Sequence, residues 1–229
     1  MKRYAIIVAG GSGSRMRSDT PKQFMLLGDK PILMHTIQAF ADFSEELKII
    51  LVLPKDSMDT WSSLCKKYDF KKNIIMVDGG ESRYHSVKNG LSSIDDLDGY
   101  VAIHDGVRPL VSTRIIGDSF SFAEIHGAAI ASTILKESLR RMDVDRTYSV
   151  NRSEYRLIQT PQTFNVKLIK ESYENVEFHP DLTDDASVVE RNGHMVHLFD
   201  GDFTNIKITT PEDLHFAQAI LKNNKGGMS

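Results

Sequence analysis

The chain has 229 residues and a formal net charge of -3, with 28 basic and 31 acidic residues spread along it. That length suits one α/β unit with an appendage and a core that needs no staple, and the balanced charge argues against a nucleic-acid coat or a membrane-surface binder. Cys65 is the only cysteine, so no intrachain disulfide can form, and no apolar run is long enough to span a bilayer.

In chain order, Met1-Lys2-Arg3 leads directly into a strand-like segment, without the apolar region and cleavage site of a signal peptide. The expected location is cytoplasmic. Residues 4–9 are short, apolar and β-rich and end in glycines, as a fully buried strand does. A helix over 31–43 follows, with Leu33, Ile37 and Phe40 on one face and Pro31 suited to its first turn. A second buried strand, 48–53, is stopped by Pro54, and a helix over 56–68 carries Cys65 as a small apolar residue. The third strand, 73–77, ends at Asp78-Gly79-Gly80; a helix over 82–94 leads to a fourth strand, 100–104, ending at Asp105-Gly106.

Short apolar strands alternating with helices predict parallel βαβ units and a three-layer α/β sandwich. From Ile134 to Gln159 the sequence turns charged, with weak β character. It reads as a solvated hairpin or arm, with a surface loop as the alternative. Beyond it come helices near 166–173 and 185–192, strands at 195–199 and 205–208, and a last helix from Pro211 to about Leu221. The polar tail from Lys222 is expected to fray.

Ligands of such folds sit beyond the carboxyl ends of the strands, which points at residues 10–15, 78–83 and 104–109. The first of these loops reads Gly10-Gly11-Ser12-Gly13-Ser14-Arg15. It is not a P-loop, because no lysine follows Gly13, and Met16 stands where a dinucleotide fingerprint wants Gly or Ala. Two readings remain open: a tight turn with two surface cations, or a phosphate cradle whose cations are Arg15 and Lys22. Asp105 can hold a metal or a ribose hydroxyl, or simply cap a turn, and Arg108 can grip a phosphate. His104 is expected to pack beneath the site. Lys207 alternates with Ile206 and Ile208 and points away from them, and alone it reads as a surface charge. His126, His179, His194 and His197 lack zinc-ligand spacing, and Asp184 and Asp185 read as a helix N-terminus.

Together these stretches resemble the 2-C-methyl-D-erythritol 4-phosphate cytidylyltransferase family. The landmarks are residues 9–16, 21–23, 78–83, 104–109, 160–162, 183–186 and 205–207, in order over nearly the whole chain. The resemblance implies one Rossmann-like nucleotidyltransferase domain over 1–229, with a mostly parallel mixed sheet and a protruding β-arm, 134–158, used for dimerisation. It implies transfer of a cytidylyl group from CTP to a polyol phosphate, with Mg²⁺. Arg15 and Lys22 would clamp the CTP phosphates and Lys207 the α-phosphate. Ala9, Gly10, Gly11, Gly13, Gly80, Glu81 and Ser86 would form the nucleotide pocket. Asp105 would serve ribose, acceptor or metal, with Arg108 and Thr160 near the acceptor phosphate. Ser138, where a threonine commonly sits, and Arg152 would reach a partner's site in a homodimer that exchanges arms. Gly106-Val107 replaces a more usual Ala-Ala pair. The alternatives are a ribitol-5-phosphate cytidylyltransferase, which resembles the same motifs, and a non-catalytic nucleotide-binding module.

Overall fold

A computed structural model of the protein describes residues 1–11, 16 and 20–226. Seven strands make one sheet in the order β11-β7-β10-β6-β1-β4-β5. They are β1 (Lys2–Val8), β4 (Lys48–Leu53), β5 (Ile74–Asp78), β6 (Gly99–Asp105), β7 (Ala128–Ile134), β10 (Arg156–Asn165) and β11 (His197–Asp200). Every pairing is parallel except those of β10, which runs against both β6 and β7.

Side-chain alternation along the strands feeds two cores. From β1 and β4, Ala5, Ile7, Ile49 and Leu51 face α1 (Ile32–Phe43), α2 (Met58–Lys67) and α4 (Thr113–His126). Tyr4, Ile6, Ile50 and Val52 face the other way, toward α3 (Arg83–Ser92), α5 (Val166–Asn175) and α6 (Asp185–Arg191). Helices thus cover both faces, and the predicted three-layer sandwich is the observed one. A third apolar cluster, with Leu27, Ile32, Val107, Ile208 and Ala217, seats α7 (Pro211–Gly226) beside β2 (Leu26–Leu27) and β3 (Lys30–Pro31).

The predicted strand 48–53 and the helices after Pro31 and Ser82 hold to within a residue or two. Cys65 lies on α2, half-buried against the first core. Besides the short pair β2 and β3, three longer elements lie outside the expectations. Helix α4 is bounded by the Ser112 side chain at its start and by left-handed Gly127 (φ 81°) at its end. Strand β7 is built largely of small residues, and β10 carries Pro161 in the middle of the sheet. The β7–β10 register shifts between Ile158 and Gln162, so Pro161, which has no N–H to donate, falls inside that break.

Two expectations are corrected. Residues 205–208 are not a strand: Ile208 N–H donates to Val107 O, but no ladder forms. The alternation there reflects Ile206 and Ile208 packing on the third cluster while Lys207 points away. The last helix does not stop near Leu221 but continues to Gly226, past the predicted start of the tail. In the arm, β8 (Leu139–Met142) pairs with β9 (Thr147–Val150) as an exposed two-stranded hairpin, as the charge pattern predicts.

Candidate active site

The carboxyl ends of β1 and β6 lie side by side because Gly106 N–H donates to Val8 O at 2.8 Å. A Cβ at Gly106 would stand 2.8 Å from the Ala9 Cβ, so this close approach uses the missing side chain. Gly10 and Gly11 continue from β1, and the stem of Lys22 lies over Gly11, with Cε 3.4 Å from where a Cβ would be. Lys22 itself opens a short 3-10 turn, Lys22–Phe24, anchored by buried Gln23 and Phe24. On the other flank, Ser82 caps α3, and Gly80 N–H donates to Ser86 Oγ at 3.1 Å. A side chain at Gly80 would collide with His85.

These pieces enclose a cleft of about 390 Å³, which Ala9, Gly10, Gly11, Lys22, Gly80, Glu81, Ser86, Asp105 and Lys207 help to line. A smaller hollow of about 210 Å³ adjoins it, bordered by Arg108, Thr160, Gln162 and Asp184. Arg83, Asp105 and Lys207 border both. A larger hollow, about 1010 Å³, lies at the opposite end of β4 and β5, near Lys48 and Lys72, and gathers none of the predicted residues.

Asp105 is 7 % exposed and faces three cations. Lys207 Nζ is 3.0 Å and Arg108 Nε 3.3 Å from Oδ2, and Arg83 Nε is 3.5 Å from Oδ1. Burial opposes ionisation, but Arg83, Lys207 and Arg108 outweigh it and hold the carboxyl well below the usual carboxylate range. Arg108 also donates from Nη1 to Asn205 O at 2.8 Å. Buried Asn205 donates in turn to Thr160 O and Gln159 Oε1. The backbone before Lys207 is therefore tied to the turn after β6 and to the middle of β10.

His104 is fully buried, and burial drives it down to about 3, so it is neutral. Its Nε2 lies 3.2 Å from Arg108 O and must carry the proton, which leaves Nδ1 to accept from the Thr160 hydroxyl at 3.0 Å. Thr160 Oγ1 meanwhile accepts Asp105 N–H at 3.1 Å. The one hydroxyl proton of Thr160 is thus spent inside the protein. Thr160 borders the smaller hollow, as the resemblance implies, but it braces Asp105 and His104 and has no proton left to give a phosphate.

Of the expected residues, Ala9, Gly10, Gly11, Lys22, Gly80, Glu81, Ser86, Asp105, Arg108, Thr160 and Lys207 come together here. Arg15 and Gly13 lie outside the described residues. Ser138 and Arg152 do not join this site. Both are exposed on the arm, where Arg152 donates to Lys136 O. Sequence reasoning missed Arg83 and Asp185. In the sequence Arg83 is only one letter of a landmark, and Asp185 reads with Asp184 as a helix start. Asp184 does cap α6, but Asp185 is fully buried and takes both arms of the Arg83 guanidinium at 2.9 and 2.7 Å.

Residues 4–223 match the family model described as IspD: 2-C-methyl-D-erythritol 4-phosphate cytidylyltransferase. The 2-C-methyl-D-erythritol 4-phosphate cytidylyltransferase of Bacteroides thetaiotaomicron is 49% identical over 221 residues, covering 96% of this chain and 100% of that protein. The enzyme of the same name from Bacteroides fragilis is 48% identical over the same shares. Among solved structures, 4-diphosphocytidyl-2C-methyl-D-erythritol synthase from Anaerococcus prevotii superposes with a TM-score of 0.83 at 34% identity, covering 96% of each chain.

Proposed function

The chain belongs to the 2-C-methyl-D-erythritol 4-phosphate cytidylyltransferase family, and from that premise we propose how its residues divide the work of the reaction. The enzyme transfers a cytidylyl group from CTP to 2-C-methyl-D-erythritol 4-phosphate, in the non-mevalonate route to isoprenoids. A phosphate oxygen of the acceptor attacks the α-phosphorus of CTP. The bond from that phosphorus to the bridging β-oxygen breaks, and pyrophosphate leaves with the electron pair. The attacking phosphate carries no proton that must be removed, so no general base is required.

The observation that carries this assignment is the Asp105–Lys207 pair standing where the larger and smaller clefts meet. CTP occupies the larger cleft, with cytosine against Ala9, Gly10, Gly80, Glu81 and Ser86, and the acceptor phosphate occupies the smaller one beside Arg108. Lys22 and Arg15 hold the triphosphate. Lys207, held by Asp105 through one N–H, turns its other N–H groups to the α-phosphate and meets the charge that builds up during transfer. Asp105 borders both clefts, between the ribose and the acceptor.

Among the described residues there is no preformed nest for Mg²⁺. Both Asp105 oxygens already face cations, and the described residues hold no group of three or more metal-ligating side chains. Asp105 is therefore a poor direct ligand. The ion is expected to arrive on the triphosphate and to be held by phosphate oxygens and water, which is how Mg²⁺ commonly reaches nucleotide sites.

We further read the chain as one nucleotidyltransferase domain whose 134–158 arm reaches into a second protomer. Support comes from the exposed hairpin, from apolar Met142 and Val144 at its tip, and from Ser138 and Arg152 standing outside their own site. A cytoplasmic location follows from the intracellular donor nucleotide. Among the described residues no helix is long and apolar enough to cross a membrane.

The test is pyrophosphate release from CTP with methylerythritol phosphate and ribitol phosphate offered separately, with ATP, GTP and UTP compared in the same plate. Turnover confined to CTP and methylerythritol phosphate is expected. Preference for ribitol phosphate would overturn the acceptor assignment, and release with neither would restore the non-catalytic reading.

A further inference from the structure

Arg83 is the first residue of α3 and borders both clefts. Its guanidinium is forked onto Asp185, Nη1 to Oδ1 and Nη2 to Oδ2, while Nε lies 3.5 Å from Asp105 Oδ1. Asp185 is held in turn. The Tyr173 hydroxyl donates to its Oδ1 at 2.7 Å, and the Asp185 and Ala186 N–H groups donate to Gln162 Oε1 at 3.0 and 2.9 Å. Asp185 thereby ties α6 to α3 and α5 through its carboxylate and to β10 through its backbone N–H. A buried ion pair is a weak source of stability, because desolvation cancels much of the attraction. What this one does supply is a guanidinium oriented by a bidentate fork.

The consequence runs to the other end of the chain of contacts. Asp105 meets the forked Arg83 on Oδ1, and Lys207 together with Arg108 on Oδ2. Lys207 has a flexible stem, and its side chain is 40% exposed, so by itself it would sample many rotamers. We propose that Arg83 is a positioning residue for the transfer step: forked on Asp185, it fixes the Asp105 carboxylate, which fixes the Lys207 ammonium at the junction of the two clefts. The inference rests on the role assigned to Lys207 above.

The experiment compares Arg83→Lys, Tyr173→Phe, Lys207→Ala and the doubles with Lys207→Ala, measuring kcat and both KM values by pyrophosphate release and folding by thermal unfolding. Arg83→Lys keeps the charge and loses the fork. It is expected to lower kcat about 10- to 50-fold with both KM values within about 3-fold. Tyr173→Phe loosens Asp185 without bordering either cleft, and should lower kcat a few-fold in the same pattern. In the Lys207→Ala background each change should cost no more than about 2-fold, because the group it positions is gone.

Losses that multiply in the two backgrounds would show that Arg83 acts independently of Lys207 and overturn the inference. So would a loss confined to the acceptor's KM, or a kcat within about 2-fold of the parent. Should Arg83→Lys unfold early, the coupling of Tyr173→Phe to Lys207→Ala decides alone. A parent silent with CTP and methylerythritol phosphate would overturn the proposed function, and this inference with it. An active parent with multiplying losses overturns the inference only.

Discussion

Replacing Lys207 by alanine tests the chemistry most directly. The ammonium sits 3.0 Å from Asp105 Oδ2 on the wall of the cleft, and an ammonium has three N–H groups, enough to keep that contact and meet a phosphate oxygen. A unit charge about 4 Å from the charge developing at phosphorus is worth roughly 4 kcal/mol at an effective dielectric of ~20. Only the charge gained on the way to the transition state counts toward kcat. The 40% exposure of the side chain screens the interaction further, which leaves about 2–3 kcal/mol. The expected result is a fall in kcat on the order of 10²-fold. The KM for CTP should change much less, because the charge that Lys207 meets builds up only on the way to the transition state. Folding should be little affected, since Asp105 keeps Arg83 and Arg108. Steady-state pyrophosphate release at saturating substrates, with thermal unfolding alongside, measures both quantities. A kcat within about 3-fold of the parent would refute the assignment of Lys207 to the transition state.

Three further outcomes are expected. Mixing Arg152→Ala subunits with Lys22→Ala subunits should restore roughly one working site per heterodimer; absence of complementation in turnover assays would put Arg152 in cis or outside the site. Because His104 titrates at about 3 when folded and near 6.5 when unfolded, the unfolded chain binds the extra proton between those values. Stability should therefore be full above pH 6.5 and decline as pH falls toward 3, by up to about 1.4 kcal/mol per unit. Urea melts across this range should lose that slope in His104→Asn. Gly80→Ala places a methyl group against His85 and should raise the KM for CTP about 10-fold or more with smaller loss of kcat; an unchanged KM would separate this turn from base binding.

Much of this architecture was legible because local and global signals agree. The strand before Pro54 was bounded correctly since a continuous apolar run met a residue that cannot extend it. Strand β10 was hidden by the opposite circumstance: Gln159, Thr160, Pro161, Gln162 and Thr163 are polar or strand-breaking, yet all except Pro161 serve as partners for buried groups elsewhere. Helix α4 could have been found, because Ser112 before it and Gly127 after it are ordinary boundary signals. In the site, glycines and cations announced themselves by loop position. The Arg83–Asp185 fork spans 102 residues of sequence, and no local spacing encodes it. The direction of the Thr160 proton depends on which nitrogen of His104 faces Arg108 O, a matter of three-dimensional placement alone.

One strand runs against all the others in the sheet, and this reversal decides where the arm grows. Strand β7 finishes at the same rim as β1 and β6, and β10 begins there, so both feet of the 134–158 excursion stand on the rim that carries Asp105. Lys136, at one foot, rests over the ring of Phe203, four residues before Lys207, at 3.7 Å. Had β10 run with its neighbours, the excursion would have begun at one rim and ended at the other. As built, the arm and the site share one edge of the sheet. Under the arm exchange proposed above, a second copy supplies Arg152, dilution that separates the copies would remove the acceptor's grip, and specific activity would gauge how much of the protein is present.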